Sequence, residues 1–115
     1  MATTVASRKQ KGRRLQQSVR DKILELFPDL TERDVMSAPM GVTGEDIILS
    51  EKANLIFPYA VECKNQEKLN IWNALQKMEQ ENRRECGILV FKRNNSKTYA
   101  ALDVDTLLRL IKCQK

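Results

Sequence analysis

The chain has 115 residues, 42% of them hydrophobic and 30% charged, with a net charge of +5 and no histidine. That length suits one domain with a modest core, and no apolar run approaches the length of a membrane span. The lack of histidine excludes Ser-His and Cys-His hydrolases, so a hydrolase built from this chain must use carboxylates, lysine and a hard, oxygen-preferring cation such as Mg²⁺.

The N-terminus is basic and polar and lacks the apolar middle of a signal peptide, so the expected location is cytoplasmic. Before Asp21 there is no acidic residue, whereas Arg8, Lys9, Lys11, Arg13, Arg14 and Arg20 are all basic. Such a block suits a polyanion, most often nucleic acid; the competing reading is a solvated tail that aids solubility. Cys63, Cys86 and Cys113 are widely spaced and form no C-x-x-C pair, which points to reduced, mostly buried thiols.

Residues 1–8 read as a flexible basic tail and residues 9–115 as a single domain. From about Lys11, the helical spacing of Leu15, Val19, Ile23, Leu26 and Phe27 predicts a helix that Pro28 closes. "RDVMSAPMGVTGEDIILS" holds two short strands, around 34–37 and 45–50, separated by Pro39 and Gly41. A helical turn fits "SEKANLIF", and a strand follows over 59–64. In "EKLNIWNALQKMEQENRRE", the residues Leu69, Ile71, Trp72, Leu75 and Met78 predict an amphipathic helix with a buried stripe. A lone Trp on such a stripe reads as core, with base stacking as the alternative. "GILVFKR" and "KTYAALDV" form a hairpin around the turn "NNS", and "DTLLRLIK" is a closing helix whose Leu107, Leu108 and Ile111 face the core. The predicted order is α-β-β-β-α-β-β-α, one α/β domain with a mixed sheet flanked by helices.

Strand side chains alternate between faces, so in "YAVECK" the Glu62 carboxylate and the Lys64 ammonium point the same way near the strand's C-terminal end. Asp46 starts the preceding strand. If the two strands are antiparallel neighbours, Asp46 comes next to Glu62. Two carboxylates and a lysine at a sheet edge suit phosphodiester hydrolysis: the acids hold Mg²⁺ or Mn²⁺, and the lysine orients water or stabilises the transition state. The tripeptide alone is weak, because a charged chain yields it by chance and an ordinary salt bridge explains it. Its setting favours a site: a central strand, a G-x-D before it, an amphipathic helix after it, and a basic first helix. Several other residues have bland readings. Arg83 and Arg84 suit a solvated helix end. Lys92, Arg93 and Lys97 flank a hairpin turn and are equally explained by solvation or by DNA contact. Ser37 and Thr43 fit turn chemistry as well as a site.

The set "GEDIILS…YAVECK" resembles the bipartite G-x-D…(D/E)-x-K motif of the PD-(D/E)XK nuclease superfamily. The element order resembles that superfamily's restriction-endonuclease-like αβββαβ core with a C-terminal hairpin strand and helix added. "KGRRLQQ" resembles the first-helix motif of archaeal-type Holliday-junction resolvases. Over roughly residues 7–112, with "ECKNQEKLNIWNALQ" and "VFKRNNSKTY", the chain is similar to small resolvase-like nucleases encoded by phages and prophages. The resemblance implies a metal-dependent endonuclease acting on branched DNA in recombination or repair, working as a homodimer in a bacterial host. Asp46 and Glu62 would be the metal-binding carboxylates, the Cys63 carbonyl a further ligand, Lys64 the catalytic lysine, and Gln76, facing the sheet, an assisting residue. The basic residues Arg8, Lys9, Lys11, Arg13, Arg14, Arg20, Lys92 and Arg93 would contact DNA. The chain departs from the pattern at the first helix, where Gln16 stands in place of the expected glutamate. Asp21 is badly displaced in angle, and Glu25, about 900° of rotation further on, emerges on the opposite side of the helix. This departure supports a second reading, a DNA-binding module on the same fold without catalysis. A third is a repair- or restriction-type nuclease of the superfamily with a different DNA substrate.

Overall fold

The computed structural model describes residues 5–39, 45–81 and 86–114. Helix α1 (Val5–Leu26) begins before the expected start, because the run of Ala, Arg, Lys and Gln ahead of Gly12 favours helix and contains no breaker. The flexible-tail reading is therefore corrected for residues 5–8, while residues 1–4 lie outside the described set. Leu15, Val19 and Ile23 recur every four residues and are the buried face. The helix ends just before Pro28, which has no N–H to donate and restricts the residue before it.

Strands β1 (Val35–Ser37) and β2 (Ile47–Leu49) form an antiparallel hairpin with Val35 opposite Leu49 and Ser37 opposite Ile47. Helix α2 (Glu51–Ile56) is capped by Ser50, whose hydroxyl oxygen accepts from Ala53 N at 3.1 Å and donates to Asp34 Oδ1 at 2.8 Å. Strand β3 (Tyr59–Asn65) pairs in parallel with β4 (Cys86–Lys92), joined through helix α3 (Ile71–Glu81); β4 pairs antiparallel with β5 (Tyr99–Ala101). Helix α4 (Val104–Lys112) closes the described chain. Among the described residues the result is an α/β fold with a mixed three-stranded sheet, a two-stranded hairpin and four helices. The expected single sheet is thus divided. The two parts meet where Asp46 N donates to Val61 O at 3.1 Å, while Ala38 N donates to Asp46 O at 2.8 Å to extend the hairpin.

One core lies under α1, where Leu15, Val19 and Ile23 meet Val35, Ile47, Val61, Cys63 and Val90. By alternation, Ala60 and Leu89 face the other way, toward the side on which α3 buries Met78. Two expectations about the core are overturned. Trp72 is 82% exposed, and of the predicted α3 stripe only Met78 is fully buried. The residues 72, 75 and 78 are three apart; each such step drifts by about 60°, so Trp72 sits about 120° from Met78. On α4, Leu107, Leu108 and Ile111 face outward, at 42%, 56% and 52% exposure, while Thr106 is the buried residue. Among the described residues, no helix is long and apolar enough to cross a membrane.

Candidate active site

Asp46 occupies the seam between hairpin and sheet. Its backbone N–H and C=O are used by Val61 and Ala38, and its side chain takes over where β2 would otherwise offer a carbonyl: Asp46 Oδ2 accepts from Cys63 N at 2.6 Å. That short, charge-assisted bond fixes the carboxylate against β3, one residue from Glu62. The juxtaposition of Asp46 and Glu62 expected from the strand ends is therefore present. It is produced by one residue at a strand start rather than by a continuous ladder.

Glu62 is half-buried, and its carboxyl is pushed up to about 7, first by burial, then by the neighbouring Asp46 charge and a hydrogen bond shared with it. Lys64 pulls in the other direction, and Glu81 at the end of α3 adds to the upward push. Negative charge is thus packed here beyond what Lys64 offsets, and a divalent cation would relieve it. The Cys63 thiol is pushed far up by burial and by the Asp46 and Glu62 charges, which makes it an inert core group. Cys86 is likewise buried and Cys113 is exposed, and all three are free thiols, in keeping with a reduced, mostly buried set.

An open cleft of about 750 Å³ lies over this seam, lined by Arg8, Lys11, Gln16, Asp46 and Lys64 and floored in part by Cys63. Its geometry follows from α1. The helix face that buries Leu15 and Val19 further along carries Arg8, Lys11, Gly12 and Gln16 in its first turns, where α1 overhangs the cleft. Gly12 presents no side chain, and the space around it is open. Gln16 is only 7% exposed, and its Oε1 accepts from Ser37 Oγ at 3.0 Å. The amide is therefore held in place at the cleft by Ser37.

The remaining predicted residues divide. Glu62 contacts Asp46 but does not itself line the cleft. Gln76 is exposed and does not line it either, so the expectation that it faces the sheet is corrected. Lys9, Arg13 and Arg14 are exposed on α1, away from the cleft. Arg20 is held by its neighbour Asp21 in an ion pair of 2.8 Å, which weakens its claim as a DNA contact. Lys92 and Arg93 sit at the β4–β5 turn, whose tightness rests on Asn95 in the left-handed region (φ 62°). That turn is tied to the cleft rim: Gln66 N donates to Lys92 O at 3.1 Å, and Asn94 N to Glu67 Oε2 at 3.2 Å. Thr43, Arg83 and Arg84 lie outside the described residues.

Sequence reasoning missed the last residue of β3 and the loop after it, where Asn65, Gln66, Glu67 and Lys68 line the cleft. The position of this loop, directly after the strand carrying Glu62 and Lys64, was the available signal. Among the described residues, no three His, Cys, Asp or Glu side chains converge as a metal cage. A cation here would draw on two carboxylates, a backbone carbonyl, the Gln16 amide oxygen and water. That set is all oxygen, the donor chemistry of Mg²⁺ or Mn²⁺. Comparison with models of known protein families, with curated proteins and with solved structures finds no match.

Proposed function

We propose that this chain is a metal-dependent DNA endonuclease of the PD-(D/E)XK type, with a restriction-endonuclease-like core, acting on branched DNA in the manner of a Holliday-junction resolvase. The observation that carries the reading is the Asp46–Glu62 carboxyl pair, held together at the seam with Lys64 beside it under a basic helix. Asp46, Glu62 and the Cys63 carbonyl would hold Mg²⁺ or Mn²⁺, with Gln16 as a weaker neutral donor. A cation bound there would supply Lewis acidity, acidifying the attacking water and offsetting charge on the phosphorus. The Lys64 ammonium, at the cleft, orients that water or stabilises the developing negative charge. Arg8, Lys11 and Lys68 line the cleft and would grip the phosphates entering it, with Lys92 and Arg93 at its rim. The preference for branched over linear DNA rests on the resemblance.

The test is incubation of the purified protein with labelled four-way junctions and linear duplex in Mg²⁺, Mn²⁺ or EDTA. Junction nicking that requires metal is expected. Tight junction binding without cleavage under either metal would replace the enzyme with a binding module, the reading that the neutral Gln16 favours. Equal cutting of linear duplex would make it a nuclease of the same chemistry with another substrate.

The exposed indole of Trp72 lies in the first turn of α3, a few residues after the loop lining the cleft. In this reading it stacks on an unpaired or distorted base. Trp72→Ala should weaken junction binding by about 1–3 kcal/mol, as loss of one base–aromatic stack does. Because so little of the ring is buried, the thermal midpoint should not move. Fluorescence anisotropy with labelled junctions, beside a melting curve, checks both halves.

A further inference from the structure

Helix α4 packs on its polar side. Asp103 caps it, with Thr106 N donating to Asp103 Oδ2 at 2.9 Å. The buried Thr106 hydroxyl lies 2.6 Å from Asp103 Oδ1 and 3.3 Å from Cys86 Sγ. Arg109 Nη2 reaches Cys86 Sγ at 3.3 Å and Thr106 Oγ1 at 3.2 Å. These contacts fix the rotation of the helix about its axis, and they turn its apolar side outward. Val104, Leu107, Leu108 and Ile111, spaced i, i+3, i+4 and i+7, form one stripe and are 66%, 42%, 56% and 52% exposed. Together they show on the order of 400 Å² of apolar side chain, in the range of the largest patch on a typical monomer, which is often functional.

We propose that this stripe docks against the same stripe of a second copy of the chain, with the two α4 helices antiparallel across a twofold axis. The charges beside the stripe support that occupant. Asp105 and Lys112, both exposed, are seven residues apart and so share one flank of the helix. An antiparallel twofold sets like flank against like flank in opposite directions, so each Asp105 meets the other copy's Lys112. The stripe supplies about half of the roughly 800 Å² that each partner of a standard interface buries, leaving the flanks and neighbouring surface as its rim.

The inference does not depend on the nuclease reading, because its test uses neither DNA nor metal. Light-scattering mass of the full chain should show a dimer at tens of micromolar that dissociates on dilution. Leu108→Glu should give a monomer with an unchanged far-ultraviolet circular dichroism spectrum, since Leu108 contributes little to the fold of one copy. Lys112→Glu should weaken the dimer at least several-fold, and Asp105→Lys combined with Lys112→Glu should restore it. A chain that stays monomeric, a dimer untouched by Leu108→Glu, or a double reversal no better than Lys112→Glu alone overturns the proposal.

Discussion

Glu62→Gln is expected to stabilise the metal-free protein above neutral pH while abolishing cleavage. The Glu62 carboxyl sits at about 7 in the folded chain against 4.5 for an unperturbed group. The folded state therefore holds this proton more tightly than the unfolded chain does. The associated stability is complete below pH 4.5 and is lost as pH rises through about 7. Glutamine keeps the shape and can still donate to Asp46, but it carries no charge to lose. Because the side chain is only half-buried, solvent screening reduces the effect to roughly 1–2 kcal/mol at about pH 8. Urea unfolding in EDTA across the pH range measures it. The wild type should lose stability between pH 5 and 8, and Glu62→Gln should lack that decline. Adding Mn²⁺ should reverse the order, because only the wild type gains binding energy from the cation. Parallel stability curves for the two proteins would show that Glu62 is not under the strain its surroundings imply.

Lys64→Ala should remove cleavage far more than it removes DNA binding. In the proposed reaction the ammonium acts where charge develops, and losing one such group costs about 10²–10³-fold in the chemical step. Other cations line the cleft, including Arg8, Lys11 and Lys68, so the affinity for a junction should fall only slightly. Single-turnover cleavage and anisotropy on the same DNA separate the two effects. Lys64 also opposes the upward push on Glu62. Without it, the pH-dependent loss of stability in EDTA should extend to higher pH, a shift that a purely DNA-binding lysine would not produce. Cleavage and binding lost in equal proportion would reduce Lys64 to one more phosphate contact.

The sequence and the structure agree wherever local chemistry decides. Period-two alternation in β3, the breakers around the hairpin and the four-residue spacing of Leu15, Val19 and Ile23 are all read from neighbouring residues. The Asp46–Glu62 contact is legible for a related reason: Asp46 directly precedes β2, and alternation along β3 puts Glu62 and Lys64 on one face. The errors arise where an apolar residue has more than one possible neighbour. Spacing alone cannot say that Trp72 drifts off the face set by Met78. It also cannot say that α4 is anchored by Thr106 and Arg109 on Cys86, turning three leucine or isoleucine side chains outward. Nor could it show that Asp46 would join hairpin to sheet with its side chain instead of a ladder. That detail depends on Cys63 N finding a carboxylate oxygen in place of a carbonyl.

The most direct test of the account is a calorimetric titration of the DNA-free protein with Mn²⁺, comparing the wild type with Asp46→Asn. One saturable site per chain is expected at about pH 8. Affinity should fall as pH drops below the Glu62 value, because the carboxyl must release its proton to bind. Asp46→Asn should abolish that site. Absence of saturable binding, or binding that is indifferent to Asp46, would contradict a cation held by the Asp46–Glu62 pair and leave the cleft as a surface for DNA alone.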